Sequence, residues 1–297
     1  MKKVLLISPT TWPNRWREYY LDAFEAKGDQ AYFADEYTGD GWDAVIFMWA
    51  NKRSMEIMNG IEKKTCPWIV WCRRYEFFEK EFGLINWDRV DHLIFCNKFL
   101  HDAFNFSRHV DKVASHLIYN GMDLSAWNPK KSLNGHTLAW VGNIHPKKNP
   151  QLALEIVREL IKEDKIYTLH MVGAITDSCL YMHLLHYIGK YELPVIFAGE
   201  IKSSQMDTWL DDKDYLLSTS ISEGNPNCII EAMAKGIKPL VYDWPGAQDQ
   251  FPEDVIFSTS HEAADMIGTG YNPERYRRLV ADKFNFEDTF RKVYELI

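Results

Sequence analysis

Short continuous apolar runs alternate along the whole chain with longer segments of helical period. Residues 2–8 (KKVLLIS) have the apolar centre of a strand buried on both faces, and residues 9–13, which begin and end in proline, close it in a loop. Residues 14–27 set Trp16, Tyr19, Tyr20 and Phe24 on one helical face, with Gly28 beyond the end. The same reading predicts strands over residues 31–34, 43–48, 68–72, 92–96 and 113–119, with helices over 54–61 and 98–106. Strands alternating with helices imply a parallel sheet covered on both faces.

Residues 120–135 contain Asn120-Gly121, Pro129 and Asn134-Gly135, the turn-forming chemistry of a linker. A second alternating series follows. Strands are predicted over 137–141, 167–172 and 195–198, and helices over 150–163, 180–191 and 204–210. The pattern therefore divides into a first doubly wound domain of residues 1–128, a second of 129–275, and a terminal segment of 276–297 carrying a helix over 286–296.

The most informative stretch is residues 216–243, LLSTSISEGNPNCIIEAMAKGIKPLVYD. A short buried strand runs into a loop that holds Gly224 and Pro226; a helix-forming segment then opens at Asn227 and stops at Gly236, and a strand follows. The N–H groups at the start of that helix, around Asn225, Asn227 and Cys228, have no partner within the helix and lie at the positive end of its dipole, which suits an anion. Glu223 and Glu231, eight residues apart, face roughly the same way. Carboxylates beside a phosphate site need hydroxyl donors further out, such as a sugar and a ribose.

Those two glutamates in SEGNPNCIIEAMAKGIKPLV resemble the E-x7-E motif of the retaining glycosyltransferases of family four. IYNGMDLSAWNP at 118–129, WVGNIHPKKNPQLALE at 140–155 and VIFAGEI at 195–201 resemble the same family in the same order. The resemblance implies an α/β chain of GT-B fold, with two doubly wound Rossmann-like domains facing across a cleft. The first is shortened, and the terminal helix crosses back to it. It also implies Lys148 as the lysine that stabilises the departing diphosphate, Glu223 as the residue holding the donor sugar, and Glu231 as the residue holding the ribose. Gly142, Asn143, Lys147, Gly224, Asn225, Asn227 and Cys228 fall on the donor-binding segments, and Gly246 in DWPGAQDQ resembles the family's next donor loop. The family has an arginine where this chain has Asn143, and a histidine after the fourth strand where it has Trp71 to Glu76. Arg73, Arg74 and Tyr75 in that segment are the acceptor-side candidates.

Composition narrows the class without changing it. Apolar residues make 46% and charged residues 26% of the chain, as in ordinary globular proteins. No run of 18 apolar residues occurs and the first ten residues lead straight into a strand, so a cytoplasmic protein without stable membrane insertion is expected. Five cysteines, odd in number and scattered among apolar runs, read as reduced core residues. Up to Asn120 there are 16 basic and 17 acidic side chains, leaving 18 and 25 beyond it. That acidic second half disfavours a broad nucleic-acid surface.

Each constellation has a plainer alternative. Lys147 and Lys148 at a helix start oppose the dipole unless an anion is present, but two solvated lysines would look alike. Glu231 could sit on a solvated face and Glu223 could serve only the helix dipole. Asp212-Lys213-Asp214 spells D-x-D but precedes a strand, so it reads as a charged turn. Cys179, His183 and His186 share a helical face without a fourth ligand nearby, which favours packing over a metal.

The expected reaction, by resemblance, moves a sugar from a UDP- or GDP-linked donor to a hydroxyl of a saccharide or lipid-linked saccharide. It proceeds with retention and without a metal or other cofactor. The alternatives are a transferase acting on a hydroxymethylated base in DNA, a sugar-nucleotide epimerase, and a non-catalytic sugar-nucleotide-binding module.

Overall fold

The computed structural model describes residues 1–8, 14–106, 113–130, 135–163, 165 and 167–297; the loop expected at 9–13, the Trp16 side chain and linker residues 131–134 lie outside them. Two compact units are present: Met1–Gly121 with Phe286–Ile297, and Met122–Asn285.

In the first unit, β1 (Lys3–Ile7), β2 (Gln30–Ala34), β3 (Ala44–Phe47), β4 (Trp68–Cys72), β5 (His92–Phe95) and β6 (Ala114–Leu117) form one sheet with α1 (Asn14–Ala26), α2 (Lys52–Gly60) and α3 (Lys98–Phe106). The strand order is β2-β1-β3-β4-β5-β6 and every pairing is parallel. Continuous apolar strands follow from burial on both faces. Leu5, Val45 and Val70 pack into one core, and Val4, Leu6, Ile46 and Ile69 into another.

The second unit holds β7 (Thr137–Val141), α4 (Pro150–Lys162), β8 (Thr168–Val172), α5 (Ser178–Tyr191), β9 (Val195–Gly199), α6 (Met206–Trp209), β10 (Tyr215–Ser218), α7 (Asn227–Lys235) and β11 (Lys238–Tyr242). It closes with α8 (Ala247–Gln250), β12 (Ile256–Phe257), α9 (Ser260–Met266) and α10 (Pro273–Lys283). Its sheet is also parallel, in the order β12-β11-β10-β7-β8-β9. The helix expected over 204–210 shrinks to the four residues of α6 between 3-10 turns.

The units divide at 121 and 285 rather than at 128 and 275. Trp127 is buried and donates from Nε1 to Met122 Sδ, while Asn128 bonds Asp207 and Arg277 donates to the Trp127 carbonyl, so this segment belongs with the second unit. α10 packs on α7, where an added Cβ at Gly236 (φ 81) would meet Pro273 Cβ at 2.8 Å. α11 (Phe286–Tyr294), by contrast, packs on α1 of the first unit, with the Phe24 and Phe290 ring centroids 4.9 Å apart.

Candidate active site

The second sheet reverses its winding between β7 and β10, and in open α/β sheets ligands bind beyond the C-terminal ends of strands at such a reversal. The loops after β7 and β10 therefore meet where a ligand is expected. Their sequences explain how closely. Gly173 after β8 has φ +142, and a Cβ there would stand 2.0 Å from the Gly142 carbonyl oxygen, so only glycine lets the β7 and β8 exits approach. A Cβ on Gly142 would in turn lie 3.2 Å from Lys148 Cδ, which shows the lysine stem running over the glycine.

After Gly142 the chain is pinned locally. Asn143 Oδ1 accepts from the Ala174 N–H at 3.3 Å, and His145 Nδ1 accepts from the Lys147 N–H at 3.1 Å, capping the 3-10 turn Pro146–Lys148. Asn143 stands where the resembled family has its arginine, and its carboxamide holds the loop. Asn149 takes a left-handed φ of 47 and Pro150 then starts α4, where a missing N–H costs nothing.

The loop after β10 is stitched onto the first. Trp140 Nε1 donates to Thr219 Oγ1 at 2.9 Å, whose hydroxyl donates to the Lys148 carbonyl at 2.9 Å. Ile221 N–H donates to the Lys147 carbonyl at 3.0 Å. Glu223 is thereby delivered to the lysines: Lys148 Nζ is 2.5 Å from its Oε1 and Lys147 Nζ 3.8 Å from its Oε2. Burial pushes the Glu223 carboxyl up, but the charges of Lys148 and Lys147, with hydrogen bonds from Lys148 and Ser220, bring it below its ordinary 4.5. The carboxylate stays ionised.

α7 starts directly after this loop and buries Glu231. The thiol of Cys228 is pushed up to about 11 by burial, with Lys148 opposing and Glu223 and Glu231 reinforcing. Cys228 is thus close enough to Lys148, Glu223 and Glu231 to feel the charge of each. Gly224 and Asn225 are held from behind by Gln250 of α8, a helix that begins after Gly246 at φ 98.

The structure so brings Gly142, Asn143, Lys147, Lys148, Glu223, Gly224, Asn225, Cys228 and Glu231 into one neighbourhood, with Asn227 opening α7. Trp140, Thr219, Ser220 and Gln250 escaped the sequence reading. Their role is to hold loops, and no spacing rule marks a side chain that meets a partner 71 to 79 residues away, as Thr219 does.

The acceptor-side candidates belong to the first unit. Arg73 lies over the Trp71 ring, 3.8 Å from its centroid, and donates to the Met48 carbonyl and to Asn120 Oδ1. Burial lowers its pKa. The Arg73 and Arg74 N–H groups donate to the buried Glu76 carboxylate, and Tyr75 is exposed beside Trp49, with ring centroids 6.0 Å apart.

Two other motifs lie away from this site. Asp214 of the D-x-D sequence is buried and bonded to Lys130 Nζ at 2.9 Å and to the Thr137 N–H and hydroxyl. Cys179, His183 and His186 lie along α5 but all three are exposed, so the packing expected of them, and the core position expected of Cys179, are not found. Among the described residues the ligand atoms that converge within 4.8 Å belong to Glu163, His261 and Asp265, and Lys165 already pairs with Glu163 at 2.8 Å.

No curated protein matches the chain. Residues 135–269 match the family model of glycosyl transferases group 1. Among solved structures, Anabaena HepE in complex with UDP and glucose is similar with a TM-score of 0.79 at 14% identity, over 99% of both chains. Sucrose-phosphate synthase from Thermosynechococcus elongatus gives 0.78 at 14%, over 100% of this chain and 98% of its own. S. aureus TarM, bound to fondaparinux, α-GlcNAc-glycerol and UDP, gives 0.73 at 16%; it covers 85% of this chain, which spans only 55% of TarM. Two six-stranded parallel sheets in this likeness give the chain a GT-B fold, with a second unit similar to the group 1 glycosyl transferases.

Proposed function

We propose that this protein is a retaining glycosyltransferase that moves a sugar from a UDP-sugar to a hydroxyl of a saccharide or lipid-linked saccharide. One observation carries the reading: at the winding reversal of the second sheet, two lysines and the start of α7 flank the ionised, buried Glu223. Such a site offers positive potential for a diphosphate and an acceptor for sugar hydroxyls in the same place. The presence of UDP in the similar HepE and TarM structures favours uridine over guanosine.

In this reading Lys148 and the α7 N-terminus stabilise the departing diphosphate, so no metal is called for. Glu223 accepts hydroxyls of the donor sugar, and Glu231 those of the ribose. When the donor binds, its hydroxyls replace Lys148 at Glu223 while the diphosphate takes the ammonium, so neither the buried carboxylate nor the half-buried ammonium is left without a partner. The leaving phosphate takes the acceptor proton on the face it departs from, and the protein contributes mainly by holding both substrates in place. Arg73, Arg74 and Tyr75 of the first unit are the acceptor-side candidates, and the reaction belongs in the cytoplasm, where nucleotide sugars are made.

Thermal stabilisation of the wild type and of Glu231→Ala by UDP, GDP, ADP and their sugars tests this directly. Ligand at about 100 times Kd stabilises by about 2.7 kcal/mol. UDP and a UDP-sugar should raise Tm in the wild type and less in the variant. No shift with any nucleotide would remove the donor site. Turnover lost in EDTA, or a product of inverted anomeric configuration, would refute the metal-free retaining mechanism.

A further inference from the structure

Gln250 is fully buried, at 0% exposure, and both ends of its carboxamide are engaged. Nε2 donates to the Gly224 carbonyl at 2.8 Å, and Oε1 accepts from Asn225 Nδ2 at 2.6 Å. The clamp stands on a firm base. Ala247 and Phe251 are buried on either side of it, the Phe251 ring centroid lies 5.9 Å from that of Phe284, and Lys283 Nζ donates to the Asp249 carbonyl.

Peptide geometry gives this contact a direction. The described chain has no cis bond, and in a trans peptide the carbonyl of one residue and the N–H of the next point opposite ways. Holding the Gly224 carbonyl against Gln250 therefore turns the Asn225 N–H to the other side of the plane. Glycine alone would leave that peptide free to rotate. Glu223 precedes the plane and α7 follows it two residues later.

We propose that Gln250 is a positioning residue for the donor loop, setting the 224–225 peptide and with it the Glu223 carboxylate and the approach to α7 for a nucleoside-diphosphate sugar. The proposal rests on the donor-site reading above.

Two variants and two readouts test it. Hydrogen exchange of residues 222–228 in the ligand-free protein reports the clamp without any donor. Gln250→Leu should speed exchange there while the β7, β8 and β10 amides keep their protection, and kcat/KM for the UDP-sugar should fall roughly tenfold. In Gln250→Glu a protonated carboxyl keeps one donor and one acceptor, whereas the carboxylate only accepts and faces the Gly224 carbonyl without a donor. Its activity relative to wild type should therefore rise as pH falls. Unchanged exchange in 222–228, or exchange raised equally across the sheet, overturns the clamp. A loosened loop with wild-type kcat/KM overturns its role in donor positioning. A loosened loop in a protein whose wild type binds no nucleotide overturns the donor reading itself, and exchange separates that failure from the others.

Discussion

The two sheets reverse their winding at corresponding places, between β1 and β3 in the first unit and between β10 and β7 in the second, yet the strand ends there carry different chemistry. In the second unit the β7 and β10 exits present Lys147, Lys148 and Glu223, with both lysines on the one buried carboxylate. In the first unit the β3 exit at the reversal presents Trp49 and the adjacent β4 exit presents Arg73, Arg74 and Tyr75, and the Arg73 cation is already engaged by the Trp71 ring, a carbonyl and Asn120. A carbonyl, a carboxamide and an aromatic face thus hold that guanidinium within the first unit. Topology decides where a site can form, and the side chains at the strand ends decide what it can bind.

The comparison breaks or sharpens under four changes. Asp214→Ala should have the largest effect, because the Lys130 and Asp214 side chains are only 4% and 1% exposed and the variant strands a buried ammonium. A loss of about 3–5 kcal/mol in urea unfolding is expected. A loss under about 1 kcal/mol would show that the pair does not anchor the second unit.

Lys148→Ala comes next, lowering kcat/KM about 100-fold, or about 2.7 kcal/mol, in a UDP-release assay. Lys147→Ala should cost less, since its Nζ stands 3.8 Å from Glu223 against 2.5 Å for Lys148. Equal losses would refute the assignment of the phosphate role to Lys148.

Arg73→Met should destabilise by about 1–2 kcal/mol through the lost ring and hydrogen-bond contacts, with UDP binding unchanged by calorimetry. Abolished UDP binding would erase the contrast between the units.

The smallest effect is a pH dependence in the first unit. His92 Nδ1 lies 3.0 Å from His116 Nε2. Burial lowers both below the ordinary 6.5, with Lys64 adding to the shift and Asp91 opposing it at His92, and His92 and His101 adding to it at His116. The unfolded chain therefore takes up protons first, and stability should fall as pH drops below 6.5. His116→Gln should flatten that slope in urea midpoints between pH 7.5 and 5.5, values chosen to bracket the ordinary histidine range. An unaltered slope would show that the histidine pair does not titrate on unfolding.

Elements with a clear apolar pattern were legible: the strands 68–72 and 137–141 and the helix 98–106 have the bounds that periodicity predicts. Beyond Asp243 the pattern fades. α10 (PERYRRLVADK) buries only Tyr276 and Val280 among many charges, and α8 and β12 are too short for any period to show. The D-x-D triplet reads as a charged turn by composition, yet Asp214 is buried because Lys130 and Thr137 neutralise and satisfy it from distant positions. On the candidate site, glycine, lysine and glutamate announced themselves through loop and helix-start chemistry. Their supports did not.

Local physics acts over a few residues, so the sequence by itself determined which segments become strands, which become helices, and where a helix start with lysines and glutamates nearby would fall. The order of strands in each sheet arises from packing that no local pattern encodes. That order brings Lys148 to Glu223 across 75 residues of chain and Gln250 to Gly224 across 26. It was therefore the tertiary structure that decided which charges meet, which are buried, and which backbone groups a distant side chain holds.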